Sequence, residues 1–220
     1  MMKTEYFNNL PHFQPIGSQF FITFRLYDSL PMAVIEQLRF EHEQAVQKLL
    51  REKNEGTDEL VYEQNKRHFA AFDRELDSKL LGNYYLRQPE VAKIIVDKIH
   101  KLDKKLYSLI AYSIMPNHVH LVIDTFLQIE QLDYHTEIDS NNYVQLHNIM
   151  RRIKGGSAYE INQVLDRTGK FWQKESYGHY VRNQKELQNI IRYTLQNPVK
   201  AGLVKEWQDW PFSYVNEAYL

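Results

Sequence analysis

Residues 106–123 read LYSLIAYSIMPNHVHLVI, two apolar runs separated by the dipeptide Pro116-Asn117. The first run, residues 106–115, is mostly apolar and predicts a buried strand. A proline followed by an asparagine marks a turn, and residues 118–123 are rich in β-branched side chains, which is typical of a second strand. The stretch therefore predicts a β-hairpin.

Upstream of this hairpin, residues 20–26 are aromatic and β-branched and predict another strand. Pro31 then opens a long charged stretch in which apolar residues recur at helical spacing. Between Asp28 and Lys105 acids and bases nearly balance, fifteen to fourteen. We therefore interpret residues 31–82 as an elaborated helical insertion with a structural role. Pro89 fits the first turn of a further helix.

Downstream of the hairpin, residues 141–154 have a helical pattern that Gly155-Gly156 is expected to end. A strand is expected within residues 171–181, and a helix over residues 184–196 that stops at Asn197-Pro198. The aromatic tail, residues 207–219, is expected to pack back on the body.

This order of elements predicts an α+β fold. We expect a ferredoxin-like sandwich with an antiparallel sheet and the helices on one face, plus the N-terminal helical insertion. The whole chain, residues 1–220, is interpreted as one domain that carries the insertion at about residues 31–82.

His118 and His120 are two residues apart on a predicted strand, so both imidazoles point to the same face. Val119 points to the other face and can join the core. Two imidazoles on one face offer two nitrogen ligands to a divalent ion. A pair of polar residues on a solvent-facing strand explains the same pattern.

Tyr193 lies in the predicted helix of residues 184–196, and Asn197 follows it by four residues. The two side chains share a helix face if the last turn is intact. In a chain with 15 tyrosines, a helical tyrosine is more often a packing residue than a nucleophile.

Two motifs give the chain a family resemblance. Residues 114–122, IMPNHVHLV, resemble the HUH signature of single-tyrosine transposases, and residues 191–204, IRYTLQNPVKAGLV, resemble the helix that carries their catalytic tyrosine. The ending NPVKAGLV is close to the REP-associated tyrosine transposase branch. Trp172-Gln173 before that helix and residues 210–213, WPFS, after it also resemble the branch.

The resemblance assigns a role to each matching residue. His118 and His120 match the metal-binding pair, Tyr193 matches the nucleophile, and Asn197 matches a third ligand four residues after the tyrosine. Gln196 is the second choice for that ligand, although it points about 100° away around the helix. The implied cofactor is Mg²⁺ or Mn²⁺, and imidazole ligands favour Mn²⁺.

The same resemblance implies a reaction and a substrate. Tyr193 would attack a phosphodiester of single-stranded DNA near a hairpin, giving a 5′-phosphotyrosine and a free 3′-hydroxyl. The covalent link conserves the bond energy, in keeping with the lack of a glycine-rich phosphate loop. A homodimer is left open, because classical relatives are dimers and the REP-associated branch is expected to include monomers.

Charge distribution also favours a DNA substrate. The net charge is −1, yet residues 145–205 contain eleven Lys or Arg against four acids, about +7 in all. A face of this charge can hold a phosphate backbone, or it can simply be solvated. Candidates for DNA contact are Arg151, Arg152, Lys154, Tyr177, His179 and Arg182, and Tyr180 is a further candidate for stacking on bases.

Composition excludes several other classes. The chain has no cysteine, which excludes disulfides, thiolate zinc sites and cysteine nucleophiles. No apolar run follows Lys3, so we expect no signal peptide. No stretch has the apolar length of a membrane span. We expect a cytoplasmic protein.

Two alternatives to the transposase remain at this point. One is a nucleic-acid-binding module on the same fold, which would need the basic residues but not the histidines and the tyrosine together. The other is a metal hydrolase that uses His118 and His120, with Asp124 as the nearest downstream acid. A hydrolase would tolerate Tyr193→Phe and a transposase would not.

Overall fold

The computed structural model describes residues 5–8, 10–52, 56–78, 83–133 and 135–220, with side chains from Gln14 onwards. The expectation that the N-terminus is not a signal peptide rests mainly on residues 1–4, which lie outside the described residues. Parts of the expected insertion, residues 53–55 and 79–82, also lie outside them.

The described residues form seven strands and six α-helices. The strands are β1 (Glu5–Asn8), β2 (Leu10–Phe13), β3 (Gln19–Arg25), β4 (Ser108–Ile114), β5 (His118–Asp124), β6 (Tyr177–Tyr180) and β7 (Ser213–Val215). The helices are α1 (Met32–Glu52), α2 (Thr57–Ser78), α3 (Pro89–Leu102), α4 (Leu127–Glu130), α5 (Leu146–Val164) and α6 (Gln184–Lys200). Short 3₁₀ turns cover Tyr85–Arg87, Trp207–Asp209 and Glu217–Tyr219. None of the described helices has both the length and the hydrophobicity that a membrane span requires.

The chain forms two compact units. The first contains Met1–Tyr27 and Tyr84–Leu220, and the second contains Asp28–Asn83. In the second unit, α1 packs against α2. Leu30, Ile35 and Leu76 form its small apolar core, and the rings of His42 and His68 stack with their centroids 4.3 Å apart.

The first unit is built on a five-stranded sheet with the order β6-β3-β5-β4-β7, in which every neighbouring pair is antiparallel. The α+β class with an antiparallel sheet is therefore confirmed, and so is the hairpin of β4 and β5. His120 pairs with Thr23 of β3 on one side and with Ser113 of β4 on the other. Strand β5, which carries both histidines, is thus the central strand of the sheet.

One face of the sheet carries the main hydrophobic core. Val119, Leu121 and Ile123 of β5 pack there with apolar residues of α3 and α5. Val91, Ile95 and Ile99 on α3 are four residues apart, so they form one continuous stripe. This core fixes the direction of the alternate side chains on β5, which point to the opposite face.

Helix α6 covers that opposite face, where Asn197 bonds His120 and Tyr193 contacts Phe21. The expectation that the helices lie on one face is therefore wrong. The physical reason is visible in β5, where the first six residues are buried on both faces. A strand that is buried on both faces needs a layer of structure on each side. His118 and His120 are buried, whereas a solvent-facing strand would carry exposed polar residues at these two positions.

Helix α5 does not end at Gly155-Gly156, as expected from the sequence, but continues to Val164. Glycine in a helix costs up to about 1 kcal/mol relative to alanine, and tertiary contacts with α3 offset this cost. The side chain of Lys98 crosses Gly156 and its ammonium pairs with Glu160 on the next turn.

Helix α6 likewise continues past Asn197-Pro198 and ends at Lys200. Pro198 removes one N–H from the helical ladder, but the last turn is closed in another way. Leu203 N–H donates to Pro198 C=O and Gly202 N–H donates to Val199 C=O, with Gly202 at φ +68°. This is a Schellman ending, which requires a left-handed residue that glycine adopts without strain. It keeps Asn197 and Lys200 in helical geometry.

Candidate active site

His118 and His120 project from β5 into the space beneath α6. Their Nε2 atoms are 3.0 Å apart and their rings are nearly perpendicular. Both side chains are fully buried, and Val119 between them belongs to the core on the other face. The structure therefore brings together the two imidazoles that the strand alternation had predicted to share a face.

The outer nitrogen of each ring has a partner that fixes its tautomer. Asn117 Oδ1 lies 2.7 Å from His118 Nδ1, and an amide oxygen can only accept, so His118 Nδ1 carries the proton. Thr23 Oγ1 lies 2.8 Å from His120 Nδ1. The Asn197 amide donates to His120 Nε2 at 2.8 Å, so His120 also carries its proton on Nδ1. Both Nε2 lone pairs consequently point into the same small space.

Burial keeps His120 neutral. Burial, together with the positive charge of Lys200, lowers the pKa of His120 to about 3. Neutral imidazole is the form that binds a metal. Two unprotonated Nε2 atoms 3.0 Å apart repel each other, and a cation bound by both removes that repulsion. The donor set thus fits a divalent ion.

Tyr193 and Asn197 reach this site from α6. The Tyr193 ring makes T-shaped contacts with the rings of His120 and Phe21, at centroid distances of 5.7 Å and 6.1 Å respectively. Asn197 is fully buried, four residues further along the same face. A half-turn of its amide would exchange the donor nitrogen for the oxygen. The Asn197 Oδ1 would then face the two Nε2 atoms as a third ligand.

The start of α6 is fixed by its own sequence. The Asn183 side chain accepts from Glu186 N–H and caps the helix. Leu187, Ile191 and Leu195 are buried at four-residue spacing, which seats the helix on the sheet. These apolar contacts determine the rotation of α6 and therefore the direction of Tyr193.

Gln196 lies elsewhere. It lines a cavity of about 340 Å³ together with Arg192, Trp207 and Tyr219, between α6 and the C-terminal segment. Of the two candidates for the third ligand, Asn197 is the one that contacts a histidine.

Asp124 is also remote from the histidine pair. Four residues of strand separate it from His120, about 13 Å at the usual rise. Its carboxylate accepts from the Gln19 side chain and from Phe126 N–H. It therefore cannot serve as the nearby acid that the hydrolase alternative would use.

The predicted DNA-contact residues fall in different surroundings. Arg151 and Arg152 are exposed on α5. Lys154 donates to Gln173 C=O, to Lys174 C=O and to Ser176 Oγ, all at 2.8–3.0 Å. These three bonds occupy the three N–H groups of its ammonium. Burial, together with the charge of Arg25, lowers the pKa of Lys154 to about 8. We therefore assign Lys154 to the support of residues 173–176.

The aromatic candidates on β6 are engaged within the fold. His179 bonds Glu186 at 3.2 Å, and burial together with Glu186 raises the pKa of Tyr177. Tyr180 packs against the main core. Arg182 is exposed, and its backbone N–H donates to Glu186. Among these residues only Arg182 presents an exposed side chain to a ligand.

A groove of about 450 Å³ runs beside the edge strand β6 on the α5 side of the sheet. Its cations include Arg151 and Lys174, opposed by Glu175, over an apolar floor that includes Leu146. Some of the basic residues of region 145–205 therefore line this groove, which lies on the face of the sheet opposite to Tyr193.

Sequence reasoning missed the partners of the histidines. Thr23 is the one hydroxyl residue in the aromatic strand FFITF, residues 20–24, and the antiparallel register places it beside His120. The sequence pattern indicates only a turn at Asn117 and not its contact with His118. Lys200 also escaped notice, although its ammonium lies 4.5 Å from the centre of the Tyr193 ring.

Comparison with known proteins agrees with the motifs. No protein-family model matches the chain. A Haemophilus influenzae protein assigned to the REP-associated tyrosine transposases is 29% identical over 107 residues, 49% of this chain and 58% of that protein. The Escherichia coli K12 REP-associated tyrosine transposase is 45% identical over 42 residues, 19% of this chain and 26% of that protein.

The chain is a homologue of the REP-associated tyrosine transposases. The resemblance inferred from the motifs is thereby confirmed. The matched region spans less than two thirds of each of these two transposases. A solved structure of a REP-associated tyrosine transposase bound to a REP hairpin is 17% identical, with a TM-score of 0.46, and the alignment covers 92% of this chain and 79% of that one.

Proposed function

We propose that the protein is a tyrosine transposase that cleaves and rejoins single-stranded hairpin DNA with the help of a divalent metal. The observation that carries this proposal is the convergence of four side chains from two elements. His118 and His120 of β5 meet Tyr193 and Asn197 of α6, with an Asn197–His120 distance of 2.8 Å and a Tyr193–His120 ring distance of 5.7 Å. A binding module would need no such convergence.

In this proposal His118, His120 and Asn197 hold a Mg²⁺ or Mn²⁺ ion. When bound, the ion polarises a non-bridging phosphate oxygen and stabilises the charge that develops on it. Two of the three ligands are imidazoles, which favours Mn²⁺. Thr23 and Asn117 keep the Nδ1 protons in place, so that both Nε2 atoms remain available as ligands.

Tyr193 is the proposed nucleophile. Its phenol oxygen forms a bond to phosphorus while the bond from phosphorus to the 3′-oxygen breaks. The phenol proton passes to solvent, and the departing 3′-oxygen takes up a proton to become a hydroxyl. The DNA keeps its 5′-phosphate as a phosphotyrosine, and attack by another 3′-hydroxyl reverses the step and joins the strands.

The DNA substrate accords with the charge of residues 145–205, about +7. We propose that Arg151, Arg152 and Arg182, which are exposed, contact the backbone. The groove beside β6 offers a further path for a single strand. A DNA substrate also means that the protein works in the cytoplasm.

The test is a covalent-adduct assay. The purified full chain is incubated with end-labelled single-stranded hairpin oligonucleotides and Mn²⁺ or Mg²⁺, then separated on a denaturing protein gel. The wild type should give a DNA-labelled protein band and Tyr193→Phe should give none. Tyr159→Phe is the matched control, because Tyr159 is exposed on α5 and should keep the band.

Other outcomes would reject the proposal in distinct ways. Binding of the hairpins without an adduct, across a panel of hairpin sequences, would indicate a binding module. Cleavage without an adduct that survives in Tyr193→Phe would indicate a metal hydrolase.

A further inference from the structure

Lys200 is the last residue of α6, seven residues after Tyr193 and three after Asn197. Seven residues make almost two full helical turns, so Lys200 and Tyr193 point in nearly the same direction. The Lys200 Nζ lies 4.5 Å from the centre of the Tyr193 ring. The Schellman ending at Gly202 holds this last turn in helical form.

The ammonium of Lys200 is exposed, and no carboxylate in the described part of the chain pairs with it. Contact with an aromatic face is only a weak interaction at an exposed site. Such a contact uses the charge but not the three N–H donors of the ammonium. Lys200 therefore holds a positive charge and hydrogen-bond donors beside the proposed nucleophile.

From this geometry we propose that Lys200 is a phosphate-binding residue of the active site, which contacts the phosphodiester that Tyr193 attacks. The inference rests on the proposed function. Phosphorus must come into contact with the Tyr193 phenol oxygen, and the Tyr193 ring already contacts both the Lys200 ammonium and the His120 ring. A phosphate placed there meets a cation from α6 in addition to the ligands on β5.

The chemistry favours such a second cation. In phosphoryl transfer the charge is spread over three equatorial oxygens, and an ion bound by His118 and His120 reaches only part of it. A lysine acts as a compact point charge towards phosphate. Lys200 would lower the barrier by stabilising another of these oxygens, as preorganised donors do in other sites.

The alternative is a structural role for Lys200, in which it only stabilises the negative end of the helix dipole. The two roles differ in what they do to DNA binding. A phosphate contact contributes to the salt dependence of affinity, about 0.7 in the slope of log K against log salt for each single-strand phosphate. A helix-end charge contributes nothing to that slope.

The first measurement is made without metal. A dye-labelled hairpin oligonucleotide with a single-stranded flank is titrated in EDTA at several salt concentrations with wild type, Lys200→Met, Lys200→Arg and Lys205→Met. We expect Lys200→Met to lower the slope by about 0.7, with Lys200→Arg close to wild type. Lys205→Met is the matched control, since Lys205 is exposed beyond the helix, and it should leave the adduct rate unchanged.

The second measurement is the rate of adduct formation in a single turnover with Mn²⁺. Lys200→Met should be slower by about 10²-fold or more, the usual cost of a lost charge-stabilising donor, and Lys200→Arg should recover most of the rate. Lys200→Met equal to wild type in both slope and rate overturns the inference and leaves the proposed function intact. A lowered slope in Lys200→Met with no adduct from wild type refutes the proposed function and keeps the phosphate contact. Failure of wild type to bind the oligonucleotide overturns both.

Discussion

Thr23→Val offers a direct test of how the fold prepares the two histidines. Thr23 Oγ1 lies 2.8 Å from His120 Nδ1 in the buried interior. Valine has nearly the same shape as threonine but lacks the hydroxyl, so the change removes the acceptor that keeps the proton on Nδ1. His120 can then place its proton on Nε2, where it blocks the metal.

The expected loss follows from one buried hydrogen bond. Such a bond contributes about 0.5–1.5 kcal/mol, and loss of a partner behind a metal-binding histidine weakens metal affinity by about 10–100-fold. We expect Mn²⁺ to bind Thr23→Val about tenfold more weakly than wild type. Isothermal titration calorimetry with manganese chloride on the DNA-free protein measures this difference.

Thr125→Val is the matched control. Thr125 is also buried and accepts from Ser18 N–H and from the Tyr143 hydroxyl, but it lies beyond the far end of β5. It should destabilise the protein at least as much as Thr23→Val, because the Thr125 hydroxyl makes three hydrogen bonds, while leaving Mn²⁺ affinity unchanged. If Thr23→Val binds Mn²⁺ as tightly as wild type while His118→Ala abolishes binding, the tautomer argument is refuted.

Two further predictions address other parts of the chain. Burial, with the charges of His42 and Arg39, lowers the pKa of His68 to about 4, so the unfolded chain takes up a proton before the folded chain does. The contribution of His68 to stability is full above pH 6.5 and is lost as the pH falls towards 4. Urea unfolding of wild type and His68→Phe across this range should show a shallower decline in the variant, and parallel curves would contradict the prediction. Separately, Tyr193 contacts His120 of its own chain, so a mixture of His118→Ala and Tyr193→Phe proteins should form no adduct in the gel assay. Recovery of the band would show that tyrosines are exchanged between protomers.

The hairpin and the histidine pair could be predicted because they depend on local pattern. Alternation along a strand determines that His118 and His120 share a face, whatever the rest of the fold. Four-residue spacing on a helix does the same for Tyr193 and Asn197. These rules give directions of side chains within one element, and the structure brings the two elements together.

The features that were missed depend on contacts between elements. Gly155-Gly156 would end an isolated helix, but α3 packs along α5 and Lys98 crosses the glycines. Pro198 would stop a helix that lacked the Schellman ending at Gly202. The helix on the second face could not be predicted, because two histidines in a strand indicate solvent as readily as a buried site.

Tyr193, Asn197 and Lys200 all belong to α6, whereas His118 and His120 belong to the sheet. A rigid displacement of this helix by the width of a water molecule would withdraw the proposed nucleophile, one proposed metal ligand and the proposed phosphate-binding cation in a single motion. The histidine pair left behind could still hold an ion, but nothing beside it could attack DNA. The proposed cleavage would therefore depend on whether this one helix is docked on the sheet. The apolar contacts of Leu187, Ile191 and Leu195, which take no part in the proposed chemistry, would control it.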